Sequence, residues 1–300
     1  MEQNNVKLGI FNGIFAYLIW GLLPIYWKSL YSYSADVVFS HRIIWSFVFM
    51  MLLILFTKQL KPFLHETKRI FKNKKLTILM LIIAFIISAN WLIFIWAVQA
   101  GYVLQASLGY YINPLVNIFL GVIILKERLS RAQTISCVLA FIGVLFLTIS
   151  YGVFPWISLS LAFSFGLYGL LKKIADIHSM YSLAIETTII LPFILFYLIY
   201  IYDVNLAMKS ELVSQNLLLI FAGVATAVPL LLFGSSVRHL TYSTVGFLQY
   251  IAPTLMLVIG VFLYNETFTI YHFVTFLFIW IALIIYMGST FKLRKKQLMR

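Results

Sequence analysis

Three ionisable side chains interrupt otherwise apolar runs of this sequence: His41 and Arg42 in "SHRIIWSF", and Glu186 in "SLAIETTII". A charge at the centre of a membrane helix costs about 2.5–3.5 kcal/mol on insertion scales, so such groups face a partner or an aqueous cavity. The planar guanidinium of Arg42 suits capture of an anionic group such as a carboxylate. Its blander reading is snorkelling to the interface, paired with Asp36 or a lipid headgroup. Glu186 is a candidate carrier of a coupling proton, with a structural acid bonded to hydroxyl or backbone groups as the alternative. His41 reads as a polar wall residue rather than a proton switch. Arg42 and Glu186 occupy opposite halves of their spans, on the order of 15 Å apart in depth at 1.5 Å per residue. They therefore read as separate charges lining the two halves of one pathway.

A second set combines aromatic rings with amides. Trp20, Asn90, Trp91, Tyr111, Asn113, Gln249 and Tyr250 are candidate substrate contacts, because small-ligand pockets join apolar walls to a few polar groups. Asn113 and Gln249 carry more weight than any single ring, since an amide facing lipid is costly. Pro24, Pro114 and Pro253 lie within spans, where a proline frees a carbonyl and bends its helix. They are the hinge candidates. Glu127 and Glu266 fall at helix ends and read as local structural acids.

The elements that must position these residues follow from composition. The chain has 300 residues, of which 63% are hydrophobic and 10% charged, against about 25% charged in a soluble domain. Apolar runs of about twenty residues, the length that crosses the hydrocarbon, succeed one another with short connections. Ten spans are expected, at 8–30, 37–57, 76–99, 103–125, 132–150, 154–171, 181–202, 215–237, 243–264 and 270–290. With the N-terminus inside, 19 Lys and Arg fall on the inner side and two outside. That asymmetry predicts a multi-pass protein of the cell membrane with both termini cytoplasmic. The net charge of +13 thus reflects orientation in a bilayer and gives no reason to expect nucleic acid. The connection at 58–75 holds seven Lys and Arg and reads as a topology determinant on the anionic inner leaflet.

The chain also repeats itself. "YYINPLVNIFLGVIILKE" from Tyr110 and "QYIAPTLMLVIGVFLYNE" from Gln249 align at a constant offset of 139 residues, so that Pro114 meets Pro253 and Glu127 meets Glu266. The repeated helix is the fourth span of one copy and the ninth of the chain. Each copy therefore has five crossings, and an odd number inserts the second copy upside down. The expected fold is an all-α polytopic membrane protein of two inverted five-helix repeats, 1–150 and 151–291, with a basic cytoplasmic tail at 292–300. Inverted repeats of this kind are a signature of secondary transporters.

The blocks "SHRIIWSF", "NWLIFIWAV", "ASLGYYINPLVNI", "LAFSFGLYGLLKK" and "GFLQYIAPTLM" resemble the EamA branch of the drug/metabolite transporter superfamily across nearly the whole chain. The resemblance implies ten helices and outward movement or exchange of small metabolites or drugs, with amino-acid-like compounds or small amphiphiles such as chloramphenicol as expected substrates. No Gly-rich phosphate loop is present for an ATP-driven pump. A membrane-embedded enzyme or a receptor using the same polar cavity is the alternative, and an enzyme needs more clustered acids, histidines or nucleophiles than this chain offers. The single cysteine, Cys137, forms no internal disulfide. The reading calls for no cofactor and no metal. Because each chain contains both repeats, a monomer is the expected functional unit, with a small-molecule substrate and the lipid bilayer as its partners.

Overall fold

The computed structural model describes every residue except 1, 31–32, 101, 151, 153, 201–212, 265–268 and 299–300. In hydrocarbon each backbone N–H and C=O must be paired internally, and a long apolar segment achieves this as an α-helix. The described residues accordingly form α1 (Glu2–Lys28), α2 (Ala35–Phe56), α3 (Leu60–Lys72), α4 (Lys74–Gln99), α5 (Val103–Ile123), α6 (Arg131–Ser150), α7 (Trp156–Ala175), α8 (Ser179–Tyr200), α9 (Val213–His239), α10 (Tyr242–Gln249), α11 (Ile251–Tyr264) and α12 (Ile270–Leu298). Ten segments are long and apolar enough to cross a membrane, with α10 and α11 together making the ninth.

Two departures from the sequence reading matter. The segment 58–75 is no open connection: its core is the short helix α3. The stretch 292–300, read as a tail, continues α12 as far as Leu298. Glu266 lies outside the described residues.

The packing carries the symmetry of the repeats. Helix α1 packs on α9 and on α10–α11, while its repeat mate α7 packs on α4 and α5. Helix α2 meets α9 as α8 meets α4, and α6 pairs with its own mate α12. Exchanging the two halves turns every one of these contacts into another member of the set. The halves are thus interleaved, each helix seated largely on helices of the other copy. At the centre, Tyr17 and Trp20 of α1, Phe165 and Tyr168 of α7 and Phe233 of α9 form one aromatic cluster.

The repeat mates Pro114 and Pro253 behave differently. Pro253 offers no N–H to the carbonyl of Gln249, and the ninth span breaks at Tyr250 into α10 and α11. Around Pro114 helix α5 runs on without interruption. The repeat pair thus has an interrupted helix at one proline and a continuous one at the other. Pro24 likewise sits inside an unbroken α1.

Candidate substrate site

Arg42 projects from α2, seven residues into the helix. Its guanidinium carbon lies 4.7 Å from the ring centroid of Trp27 on α1 and 4.9 Å from that of Trp91 on α4. Its Nε donates to Thr226 Oγ1 of α9 at 3.0 Å, and Tyr26 and Tyr110 lie within electrostatic reach. Among the described residues no carboxylate pairs with it within 4.0 Å. The cation is therefore held by two aromatic faces, each worth about 0.5–2 kcal/mol, and by a neutral hydroxyl. Helices of both repeats supply this setting. His41, buried beside it, accepts a hydrogen bond from Trp45 Nε1 at 3.1 Å.

Glu186 is 2% exposed and fully engaged. Its Oε1 accepts from Lys172 Nζ at 2.7 Å and from Ser182 Oγ at 2.5 Å, and its Oε2 accepts from the Tyr168 hydroxyl at 3.0 Å. The span expected at 154–171 leaves Lys172 just outside it, among the 19 basic residues of the inner side. This lysine is instead 4% exposed, because α7 extends to Ala175 and carries Lys172 into the packing with α8. Its neighbour Lys173 turns the other way and donates to the carbonyls of Val237 and Leu240 at the end of α9.

Trp91 borders both charged centres, with its ring against Arg42 and its edge on a cavity shared with Glu186. That cavity of about 10 Å³, room for one water, is lined by Trp91, Ile43, Ser88, Thr187 and Glu186. Arg42 and Glu186 make no direct pair; the carboxylate is taken by Lys172.

The amides divide by role. Asn90 donates to Leu161 O at 2.9 Å and to Ser164 Oγ at 2.8 Å, which spends its NH₂ on bolting α4 to α7. Gln249 accepts from Asn117 Nδ2 at 2.6 Å, and the Tyr242 hydroxyl lies 2.6 Å from Gly166 O and 3.0 Å from Asn117 Oδ1. Gln249 thus belongs to a buried network joining α5, α7 and α10. Asn113 Oδ1 and the Tyr250 hydroxyl are buried and have no hydrogen-bond partner among the described residues. A buried acceptor and a buried hydroxyl left this way cost about 1–3 kcal/mol each, so both are groups that a polar ligand or a water would satisfy. Tyr111 packs edge-on against Phe276 at 5.5 Å, and Trp20 belongs to the central aromatic cluster.

Comparison with known proteins decides the family. The pattern described as "EamA-like transporter family" matches residues 7–149 and again 155–288. The chain belongs to that family. Two matches in tandem accord with the two inverted repeats of the fold. Among curated relatives of this EamA chain, "Uncharacterized transporter YojE" of Bacillus subtilis (strain 168) is 43% identical over 98% of each chain. "Protein RarD" of Salmonella typhi is 42% identical over 99% of this chain and 100% of that one. A solved crystal structure superposes with a TM-score of 0.69 over 92% of this chain and 95% of the other, at 13% identity, a likeness of fold alone.

Several residues of the site escaped sequence reasoning. Trp27 sits at the last turn of α1, where aromatic rings usually mark the membrane interface. Thr226 is one hydroxyl in an apolar run. Asn117 follows Asn113 by four residues, one helical turn, and that spacing was the available signal.

Proposed function

We propose that this EamA-family protein is a secondary transporter that moves small carboxylate-bearing or amphiphilic compounds by alternating access, as an exporter or exchanger. The observation that carries the reading is Arg42, a cation set among helices of both repeats, flanked by two tryptophans and lacking a carboxylate partner among the described residues. A substrate anion would supply the missing charge, with Trp27 and Trp91 as apolar walls. Asn113 and Tyr250 are candidate polar contacts further along the pathway, and His41, Tyr111 and Trp20 candidate walls. Asn90 and Gln249 act through the helices they tie together.

The interleaved halves support alternating access, since their exchange would give inward-open and outward-open arrangements of similar energy. Pro253, with the break beside it, is the hinge; Pro24 and Pro114 are secondary candidates. Coupling to protons is assigned to Glu186: its ion pair with Lys172 would open in one state, and a proton would replace the ammonium. The basic end of the bundle, with both termini, faces the cytoplasm of a cell-membrane protein that works as a monomer.

Counterflow in liposomes tests the proposal, with labelled amino acids, nucleobases and chloramphenicol presented with and without a pH gradient. Accumulation of one compound class, lost in Arg42→Ala, is expected. Folded protein that moves no member of the panel returns the enzyme and receptor readings to consideration.

A further inference from the structure

We propose that α3 is a docking helix selective for anionic phospholipids, a role beyond transport and beyond a passive topology signal. Positive charge alone sets topology in any conformation, yet the segment is folded into a helix of three distinct faces. At about 100° per residue, Phe63 and Ile70 fall on one arc and are buried at 8% and 0% exposure. The Phe63 ring lies 6.0 Å from that of Tyr181 on α8, and Ile70 O accepts from Thr77 Oγ1 on α4 at 2.9 Å. This arc seats the helix on the bundle.

Beside it, Leu60, Leu64 and Phe71 share an arc of about 40° and are 40%, 55% and 53% exposed. The next arc holds Lys61, Lys68 and Lys72, all exposed. The sole carboxylate of α3, Glu66, is taken by Arg69 at 2.5 Å, so it neutralises none of these lysines. An apolar stripe flanked by a basic one is the surface of a helix lying in the headgroup layer. The two spans that flank α3 in the chain expose apolar residues as well, Leu55 and Phe56 ending α2 and Ile78 and Ile82 of α4. A soluble acidic protein would satisfy the lysines but would leave the exposed apolar stripe, carried between two membrane-length helices, without a matching partner. The occupant that fits both stripes is a phospholipid with a net negative headgroup.

The test uses the full chain in nanodiscs, with Cys137→Ser and a fluorophore on Leu64→Cys. Brominated phosphatidylglycerol and brominated phosphatidylcholine are compared as quenchers. Each lysine near an anionic surface adds about fivefold to association, so phosphatidylglycerol should quench at least about tenfold more effectively than phosphatidylcholine after screening. Lys61→Gln, Lys68→Gln and Lys72→Gln together, all on the surface and harmless to packing, should bring the two lipids within about twofold of each other. Equal quenching in the chain with its lysines intact overturns lipid selectivity. Quenching by neither lipid overturns membrane docking.

Discussion

At the scale of single residues, the proposed function rests on two charges with opposite circumstances. Arg42 has rings and a hydroxyl but no carboxylate among the described residues, whereas Glu186 has three donors. Arg42→Ala is therefore expected to weaken carboxylate-bearing substrates by about tenfold or more relative to neutral ones, since a charge-assisted hydrogen bond is worth about 1.5–3 kcal/mol. Competition counterflow reads this out, and equal loss for both classes would make Arg42 structural. For Glu186 the order of events is set by its pair. Removing only the ammonium, as in Lys172→Met, strands a buried carboxylate and should cost about 3–5 kcal/mol. Adding Glu186→Gln to that variant should recover much of the loss in thermal unfolding. Glu186→Gln alone is expected to flatten the pH dependence of transport, and an unchanged profile in the folded variant would remove the proton from its role. The sequence made Arg42 and Glu186 visible because charge is rare in apolar runs. It hid Lys172, because a lysine at the edge of a hydropathy window looks like a flank whether α7 ends before it or after it.

At the scale of elements, the hydropathy periodicity that reveals a helix does not reveal how close two helices come. The carbonyl of Gly223 on α9 accepts from Ser46 Oγ on α2 at 3.1 Å, and a Cβ at Gly223 would run into the backbone of Trp45 and Ser46. Small residues permit such approaches in membranes, yet nothing in "FAGVAT" distinguishes this glycine from its neighbours. Gly223→Ala should push α2 away from α9, cost about 1–3 kcal/mol, and shift Arg42 from Thr226 three residues along the same face. A lowered unfolding temperature together with weakened carboxylate counterflow is the expected pair of results. A stable protein with unaltered binding would mean that the helices separate without consequence for the site. The ten spans and the repeat were legible because they repeat over many residues. The break at Tyr250 was only half legible, since Pro253 and Pro114 are the same residue in the same register. What the repeat does not encode is the packing around each proline.

At the scale of the whole molecule, the two halves are joined at the basic end by Glu127. The last turn of α5 closes through a left-handed Lys126, φ 56°, and the Glu127 N–H donates to Gly121 O at 3.0 Å. That turn aims the Glu127 carboxylate at the other repeat, where it accepts from the N–H groups of Tyr242 and Ser243 and from the Ser243 hydroxyl at 2.5, 2.9 and 2.7 Å. A carboxylate on the first turn of a helix satisfies open donors and complements the dipole. Here it does so across the interface that the proposed alternating access would open, so it would favour closure at this end. Losing it should shift the balance of states by roughly five- to tenfold, the equivalent of one helix cap. Hydrogen exchange on the Glu127→Ala protein separates a latch from a merely frayed helix. A latch predicts faster exchange over Tyr242–Phe247 and slower exchange over Gln105–Gly109, the repeat-related first turns of α5 at the opposite end, because in the proposed cycle opening one face closes the other. Faster exchange at Tyr242–Phe247 with no change at Gln105–Gly109 would reduce Glu127 to a local cap and leave the coupling of the two faces to other contacts.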